Sequence, residues 1–376
     1  MHVGIITYDF SPPIGGLGSV AVHQVQMLRK AFPQNRYTVF SPSAGADDRV
    51  SILASMRWKK KGGCPLFSLL LAFRIEGLIR RYGLDLLHVH AGSGGVFLFK
   101  KPSRPVVVTA HHSYLQEVEL VYARHPVRRL WKRWMAFLEK RTYAFADRII
   151  CVSRDTADVV VHRMNIPQEK VTVIENGIHR VSELPQEERD PLLVLYVGRL
   201  EERKGIWVLL KAFEEVRRKV PHARLRLAGE NLLGGALRQY IGAQGLGGAV
   251  SVMGYLHSPM LRREMLRAAV LVVPSLVEGF GLIAAEAMLL GTCVVVSDCP
   301  GLRSIVTHGK TGLVFRSQDP HDCAACIVRA LSDRELRMTL EAEAKREAME
   351  RFSPGARTGD LQRVFDVVVQ RKQKNK

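Results

Sequence analysis

Short apolar runs rich in valine and isoleucine alternate with longer stretches of helical period, and the series runs through the chain twice. The first series is "HVGIITY", "YTVFS", "LLHVHA", "PVVVTAH", "RIICVS" and "VTVIENG". The second is "LLVLYVGRL", "ARLRLAGEN", "VSVMGYL", "AVLVVPS", "TCVVVSD" and "TGLVF". A strand covered by helices on both faces has no polar side to show, so it reads as a continuous apolar run. Strands of that kind separated by helices predict βαβ units and a parallel, doubly wound sheet. Between the two series lies "VSELPQEERDP" (181–191), polar and charged, which reads as a linker. The expected organisation is one α/β domain over 1–180 and another over 181–355, followed by a last helix over about 356–376. A length of 376 residues fits two domains. Ligands of open parallel sheets sit beyond the carboxyl ends of the strands, so two such sheets predict a shared cleft.

Charge narrows the partners. The formal net charge is +19, and it is uneven. Residues 1–180 hold 26 Lys and Arg against 13 Asp and Glu, while 181–376 hold 29 against 23. An excess of this sign suits nucleic acid, an anionic membrane or polyphosphate ligands. The opening "MHVGIITYDF" has no basic and long apolar leader, and no apolar run reaches membrane-span length. A cytoplasmic protein is expected, peripheral at most to the inner face of a membrane. Six cysteines are too sparse for a disulfide framework in a reducing compartment. The pair Cys323 and Cys326 lacks a second pair to complete a zinc site, and helix packing is the expected role.

Several segments carry chemistry. In "YVGRLEERKG", Arg199 follows a strand and Lys204 precedes a helix beginning near Gly205. Two cations at such a turn suit a diphosphate, with free N–H groups at the helix start adding to them. The bland alternative is a basic surface loop. In "PSLVEGFGLIAAEAM", Glu278 precedes Gly279, Phe280 and Gly281, and Glu286 falls two turns into a helix starting near Phe280. Eight residues put the two acids about 80° apart on an ideal helix, so each should hold a different hydroxyl-bearing part of one ligand. The loop "PPIGGLGS" offers Gly15 and Gly16 as a backbone cradle, but it lacks the spacing and following acid of a dinucleotide site. His111 and His112 follow the strand "VVVTA", where an imidazole can bond a sugar hydroxyl. A structural role is the alternative for His112. The segment 124–141, "RHPVRRLWKRWMAFLEKR", is basic and aromatic. Val127, Leu130, Trp131, Trp134, Phe137 and Leu138 share one helical stripe, facing either an anionic membrane or the core. The patch "RWKKKGG" (57–63) is of similar composition, and neither patch matches a nucleic-acid module.

Taken in order, these segments resemble a family 4 retaining glycosyltransferase of the GT-B fold, nearly from end to end. The resemblance rests on "LHVHA", "TAH", "DRIICVS", "VIENGI", "VGRLEERKG", "LAGE", "MGYL", "PSLVEGFGLIAAEAMLLGTCVVVSD" and "HGKTGLVF". It implies two Rossmann-like domains facing a cleft, the second holding a nucleotide-diphosphate sugar and the first an acceptor. The last helix would cross back to the first domain. Arg199 and Lys204 would contact the diphosphate, and Glu286 the ribose hydroxyls. Glu278, Gly279, Phe280 and Gly281 would hold the donor sugar and phosphate. His111 would lie beside the transferred sugar, and Gly15 and Gly16 near the phosphates. No metal and no cofactor is implied; the donor would be UDP- or GDP-linked. Where the family commonly has Gly-Gly-x-x-Glu, this chain reads Pro300-Gly301-Leu302-Arg303-Ser304, which implies weaker local support for the donor site. The expected reaction is transfer of a hexosyl unit to a hydroxyl, the acceptor being a lipid-linked or cell-surface glycan. Rival readings are a GT-B epimerase or phosphorylase, a nucleic-acid-binding protein, and a silent relative that only binds.

Overall fold

The computed structural model describes residues 1–10, 16–42, 49–51, 64–92, 95–123, 125–178 and 186–374. The chain divides into two units, Met1–His179 with Ser353–Lys376, and Arg180–Phe352.

The first unit is built on seven parallel strands: β1 (His2–Ile6), β2 (Arg36–Ser41), β3 (Arg49–Ser51), β4 (Leu86–Ala91), β5 (Val106–Ala110), β6 (Arg148–Cys151) and β7 (Val171–Val173). Their order across the sheet is β3-β2-β1-β4-β5-β6-β7. Val3 pairs with Tyr37 on one side and Leu86 on the other, which sets β1 between β2 and β4. One face is closed by the final helix, Pro354–Lys374, whose Leu361, Phe365 and Val368 pack with Val3, Ile5 and Val39. The Tyr37 hydroxyl donates to Gln362 at 3.0 Å, and the Phe365 ring meets His88 edge-on.

The second unit has six parallel strands: β8 (Asp190–Val197), β9 (Arg224–Ala228), β10 (Val250–Gly254), β11 (Ala268–Val273), β12 (Cys293–Ser297) and β13 (Leu313–Phe315). Their order is β10-β9-β8-β11-β12-β13. All six residues of β11 are buried, as its unbroken apolar run requires of a central strand with both faces covered. β8 begins at Asp190, inside the stretch that composition reads as linker. Pro191 is tolerated there because it falls in a register irregularity with no partner on either neighbour, so its missing N–H breaks no ladder. Cys323 and Cys326 are buried in the helix Pro320–Ser332 and pack into the core with Ile327 and Ala330.

The helix Pro126–Phe145 departs from a core-facing reading of its stripe. Of the six stripe residues only Leu138 is buried; Val127, Leu130, Trp131, Trp134 and Phe137 are exposed. The buried side is a different arc, made by Met135, Ala136, Leu138, Glu139, Thr142 and Tyr143. Arg124 and the patch 57–63 lie outside the described residues, and so does Gly15. Among the described residues no helix is long and apolar enough to cross a membrane.

Candidate active site

Strand order decides where the second unit can bind. β8 and β11 are neighbours, and the connections from them leave in opposite directions, so their carboxyl ends open a crevice. The loop after β8 carries Arg199 and Lys204; the loop after β11 carries Ser275 and Glu278. The two loops are sewn together. Leu276 N–H donates to the Arg203 carbonyl at 3.0 Å. Gly205 adopts φ 69°, and a Cβ there would overlap the Pro274 carbonyl oxygen, so the approach requires glycine.

That approach brings Lys204 onto Glu278. The ammonium donates to Glu278 Oε1 in a close ion pair. The Ser275 hydroxyl donates to the same oxygen at 2.8 Å, and Ser275 is itself held by Ser297 Oγ donating to its carbonyl at 2.5 Å. Oε2 has no hydrogen-bond partner among the described residues. Burial pushes the pKa of Glu278 up, but the charges of Lys204 and Arg203 and the two hydrogen bonds overcome it and hold it at about 2. The carboxylate is therefore ionised at any ordinary pH, anchored by one oxygen and open at the other. Arg199 is 46% exposed and pairs with Glu201 at 3.2 Å, which also pairs with Arg203 at 3.0 Å.

Beyond Glu278 the chain turns through Gly281, at φ 92°, into the helix Leu282–Leu290. The helix starts two residues later than the sequence suggests, because the left-handed Gly281 occupies the cap position. No side chain caps it, so its first N–H groups are open to an anion. The Phe280 side chain turns into the core, edge-on to Phe352, which leaves its backbone to face a ligand. Glu286 is half-buried on the helix and has no hydrogen bond or ion pair among the described residues. Burial raises its pKa to about 7, with Arg262 pulling the other way.

The segment Pro300–Ser304 supports the Glu278 loop without the family's acid. Glu278 N–H donates to the Pro300 carbonyl at 3.2 Å, and Gly301, at φ 89°, lies so close that a Cβ would collide with the Glu278 carbonyl. The Ser304 hydroxyl closes the turn on the Gly301 carbonyl at 2.7 Å, and Arg351 donates to the Ser304 carbonyl at 2.7 Å.

In the first unit, His111 is buried just past β5, and its Nε2 shares a proton with His90 Nδ1 at 2.8 Å. The two rings are nearly parallel, and His88 follows, bonded through Nε2 to Thr109 Oγ1 at 2.8 Å. Burial lowers the pKa of His111 to about 4 and of His88 to about 3, so the stack is neutral. His112 bonds Glu117 at 3.1 Å and is structural. Gly16 opens the helix Gly16–Ala31.

Both halves of the chain match glycosyltransferase profiles: the one described as Glycosyltransferase Family 4 over residues 14–180, and Glycosyl transferases group 1 over 180–347. An uncharacterized glycosyltransferase of Methanocaldococcus jannaschii is 32% identical over 380 residues, covering 94% of this chain and 95% of the relative. The chain belongs to family 4 of the GT-B glycosyltransferases. The fold agrees. Sucrose-phosphate synthase from Thermosynechococcus elongatus superposes with a TM-score of 0.77 at 20% identity, over 97% of this chain and 98% of that one. HepE from Anabaena, solved with UDP-glucose, gives 0.71 at 18% identity, over 98% and 100%.

Three features of this glycosyltransferase were missed in the sequence. Ser275 and Ser297 orient Glu278, yet a lone serine beside a strand end carries no signal. His88 and His90 stood in "LLHVHA" at the two-residue spacing of one strand face, which was a usable signal for a stack against His111. Glu139 accepts from Ser113 Oγ at 3.2 Å, Tyr114 N–H at 3.0 Å and Tyr143 Oη at 3.1 Å, while burial raises its pKa to about 8. It thereby ties the helix Pro126–Phe145 to the segment that follows His111.

Proposed function

We propose that this glycosyltransferase moves a hexosyl unit from a UDP- or GDP-linked donor to a hydroxyl acceptor with retention at the anomeric carbon, without a metal. The observation that carries the reading is the Lys204–Glu278 pair beside an uncapped helix start. A sugar diphosphate needs cations and N–H donors for its phosphates and a fixed acceptor for its hydroxyls. Lys204, Arg199 and the first N–H groups of helix Leu282–Leu290 supply the former, together with the backbone of Gly279, Phe280 and Gly281. Glu278 Oε2 supplies the latter. Glu286 takes the ribose hydroxyls. His111 is neutral and so serves as a hydrogen-bonding imidazole beside the sugar, without charge of its own. The UDP-glucose bound by HepE supports the choice of donor.

In the proposed step the bond from the anomeric carbon to the β-phosphate oxygen breaks and its electron pair stays on the phosphate. A bond to the acceptor oxygen forms on the same face, and the acceptor proton passes to the departing phosphate. Lys204 and Arg199 stabilise the charge growing there. No side chain is assigned as a covalent nucleophile. The acceptor is a lipid-linked or cell-surface glycan, met at an anionic membrane surface through the helix Pro126–Phe145. The deciding experiment supplies UDP-glucose or GDP-mannose with and without a set of hydroxyl acceptors. Free nucleoside diphosphate is expected only when an acceptor is present; a new nucleotide sugar without acceptor would make the chain an epimerase.

Glu286 gives this reading a pH signature. Hydroxyl donors favour the ionised carboxylate, so the donor binds the deprotonated form of a group near pH 7. Donor affinity is expected to rise about tenfold from pH 6 to pH 8. Glu286→Gln should bind weakly and lose that slope in isothermal titration. An unchanged slope would remove Glu286 from the ribose site.

A further inference from the structure

Three histidine rings of the first unit form a column that ends at His111. Residues two apart in a strand share a face, so His88 and His90 project side by side from β4. The ring centroids step from Phe365 of the final helix to His88 at 5.1 Å, on to His90 at 4.6 Å, and on to His111 at 5.0 Å. Phe365 closes the inner end, and His88 and His90 are fully buried. Burial keeps all three imidazoles neutral, so each carries one proton.

The surroundings decide which nitrogen holds it. His90 Nδ1 and His111 Nε2 lie 2.8 Å apart, and one of them must supply the proton of that hydrogen bond. His90 Nε2 is buried and has no partner among the described residues. If His111 donated, the His90 proton would sit on Nε2, as a buried N–H with nothing to receive it. Folded chains leave an acceptor short of a partner more readily than a donor. If His90 donates, its Nε2 is only a bare lone pair, and the His111 proton sits on Nδ1. That nitrogen also has no partner among the described residues, but unlike His90 Nε2 it is not sealed from solvent. An N–H at His111 Nδ1 can be satisfied by water or a ligand; one at His90 Nε2 can be satisfied by neither.

We infer that His90 is a positioning residue for the transfer: it donates to His111 Nε2 and so fixes His111 as the Nδ1–H tautomer, a neutral donor to an oxygen of the transferred sugar. This rests on the place beside that sugar proposed for His111 above. The tautomer suits the step. A bare nitrogen could only accept from a hydroxyl, whereas an N–H can donate to a hydroxyl or to a ring oxygen. An imidazolium would oppose the positive charge left on the sugar as its bond to phosphate breaks, and the buried rings behind His111 keep it from forming.

Nitrogen-15 NMR of the full chain, labelled in histidine, reads the tautomer directly, because protonated and bare ring nitrogens resonate far apart. Loss of a signal pair in His111→Gln assigns His111. The parent is expected to show His111 protonated at Nδ1 and bare at Nε2. In His90→Leu no donor faces Nε2, so the proton should move there, and kcat/KM should fall about tenfold, as for one lost hydrogen bond. The amide nitrogen of asparagine stands where histidine has Nδ1, so His90→Asn should keep the Nδ1–H signature and most of the rate. A purely packing role for His90 would move stability without moving the tautomer. An Nε2–H signature in the parent, or an unchanged tautomer in His90→Leu, overturns the inference. So does a shifted tautomer with unchanged turnover. The parent spectrum needs no variant, so the test holds even where His90→Leu does not fold. Thermal stabilisation by UDP-glucose or GDP-mannose tests the transferase reading separately: a chain with the Nδ1–H signature that binds neither would lose that reading and keep the His90–His111 arrangement.

Discussion

Lys204→Ala is expected to lower kcat/KM by about 10²–10³, the loss that follows when one preorganised donor to a developing oxyanion is removed. The site adds a second cost. Lys204 is the largest influence holding Glu278 ionised against burial. Without it the carboxylate either protonates and stops accepting a sugar hydroxyl, or stays charged beside the diphosphate. Neither outcome supports turnover. Arg199→Ala should lose less, because that guanidinium is more exposed and shared with Glu201. Glu278→Gln in the Lys204→Ala background should recover thermal stability by removing the unpaired buried charge, without recovering rate. Steady-state kinetics together with unfolding curves separate the two. Normal turnover by Lys204→Ala would falsify the site.

Gly205→Ala is expected to cost about 3 kcal/mol or more, and to lower activity with it. A left-handed alanine costs about 1–2 kcal/mol by itself. The larger part comes from overlap with the Pro274 carbonyl oxygen, a backbone atom that cannot swing aside. Relief requires the loops after β8 and β11 to separate, which draws Lys204 away from Glu278. A fall in melting temperature of about 6–12 °C is expected for a unit of this size. Gly245→Ala is the control. Its φ is 64°, but a Cβ there meets nothing within 4 Å, so only the left-handed cost applies. Equal losses at the two positions would mean that the loop contact contributes nothing.

The class of fold was legible because burial on both faces leaves a mark in composition. "AAVLVV" and "CVVVS" have no polar alternation, and both are fully buried parallel strands. The side chains of the stripe in Pro126–Phe145 were harder to place. A helical period is the same whether it meets protein or solvent, and only the neighbouring elements show that Leu138 goes in while Leu130 and Trp131 stay out. The contact between Pro300 and Glu278 was hidden for a related reason. Sequence displays side chains, and the contact there is made by a carbonyl.

The positions of Arg199, Lys204, Glu278 and Glu286 next to strand ends and glycine turns could be read directly, since local geometry and residue type set them. That Lys204 donates to a Glu278 carboxylate oxygen across 74 residues could not. It follows from β8 and β11 lying side by side, and strand order is chosen by the packing of whole sheets against their helices. Charge states were hidden in the same way. Glu278 and Glu286 are the same residue type eight positions apart, yet one is held at about 2 and the other raised to about 7. Burial acts on both; a nearby lysine rescues only the first, and that neighbour exists only once the chain has folded.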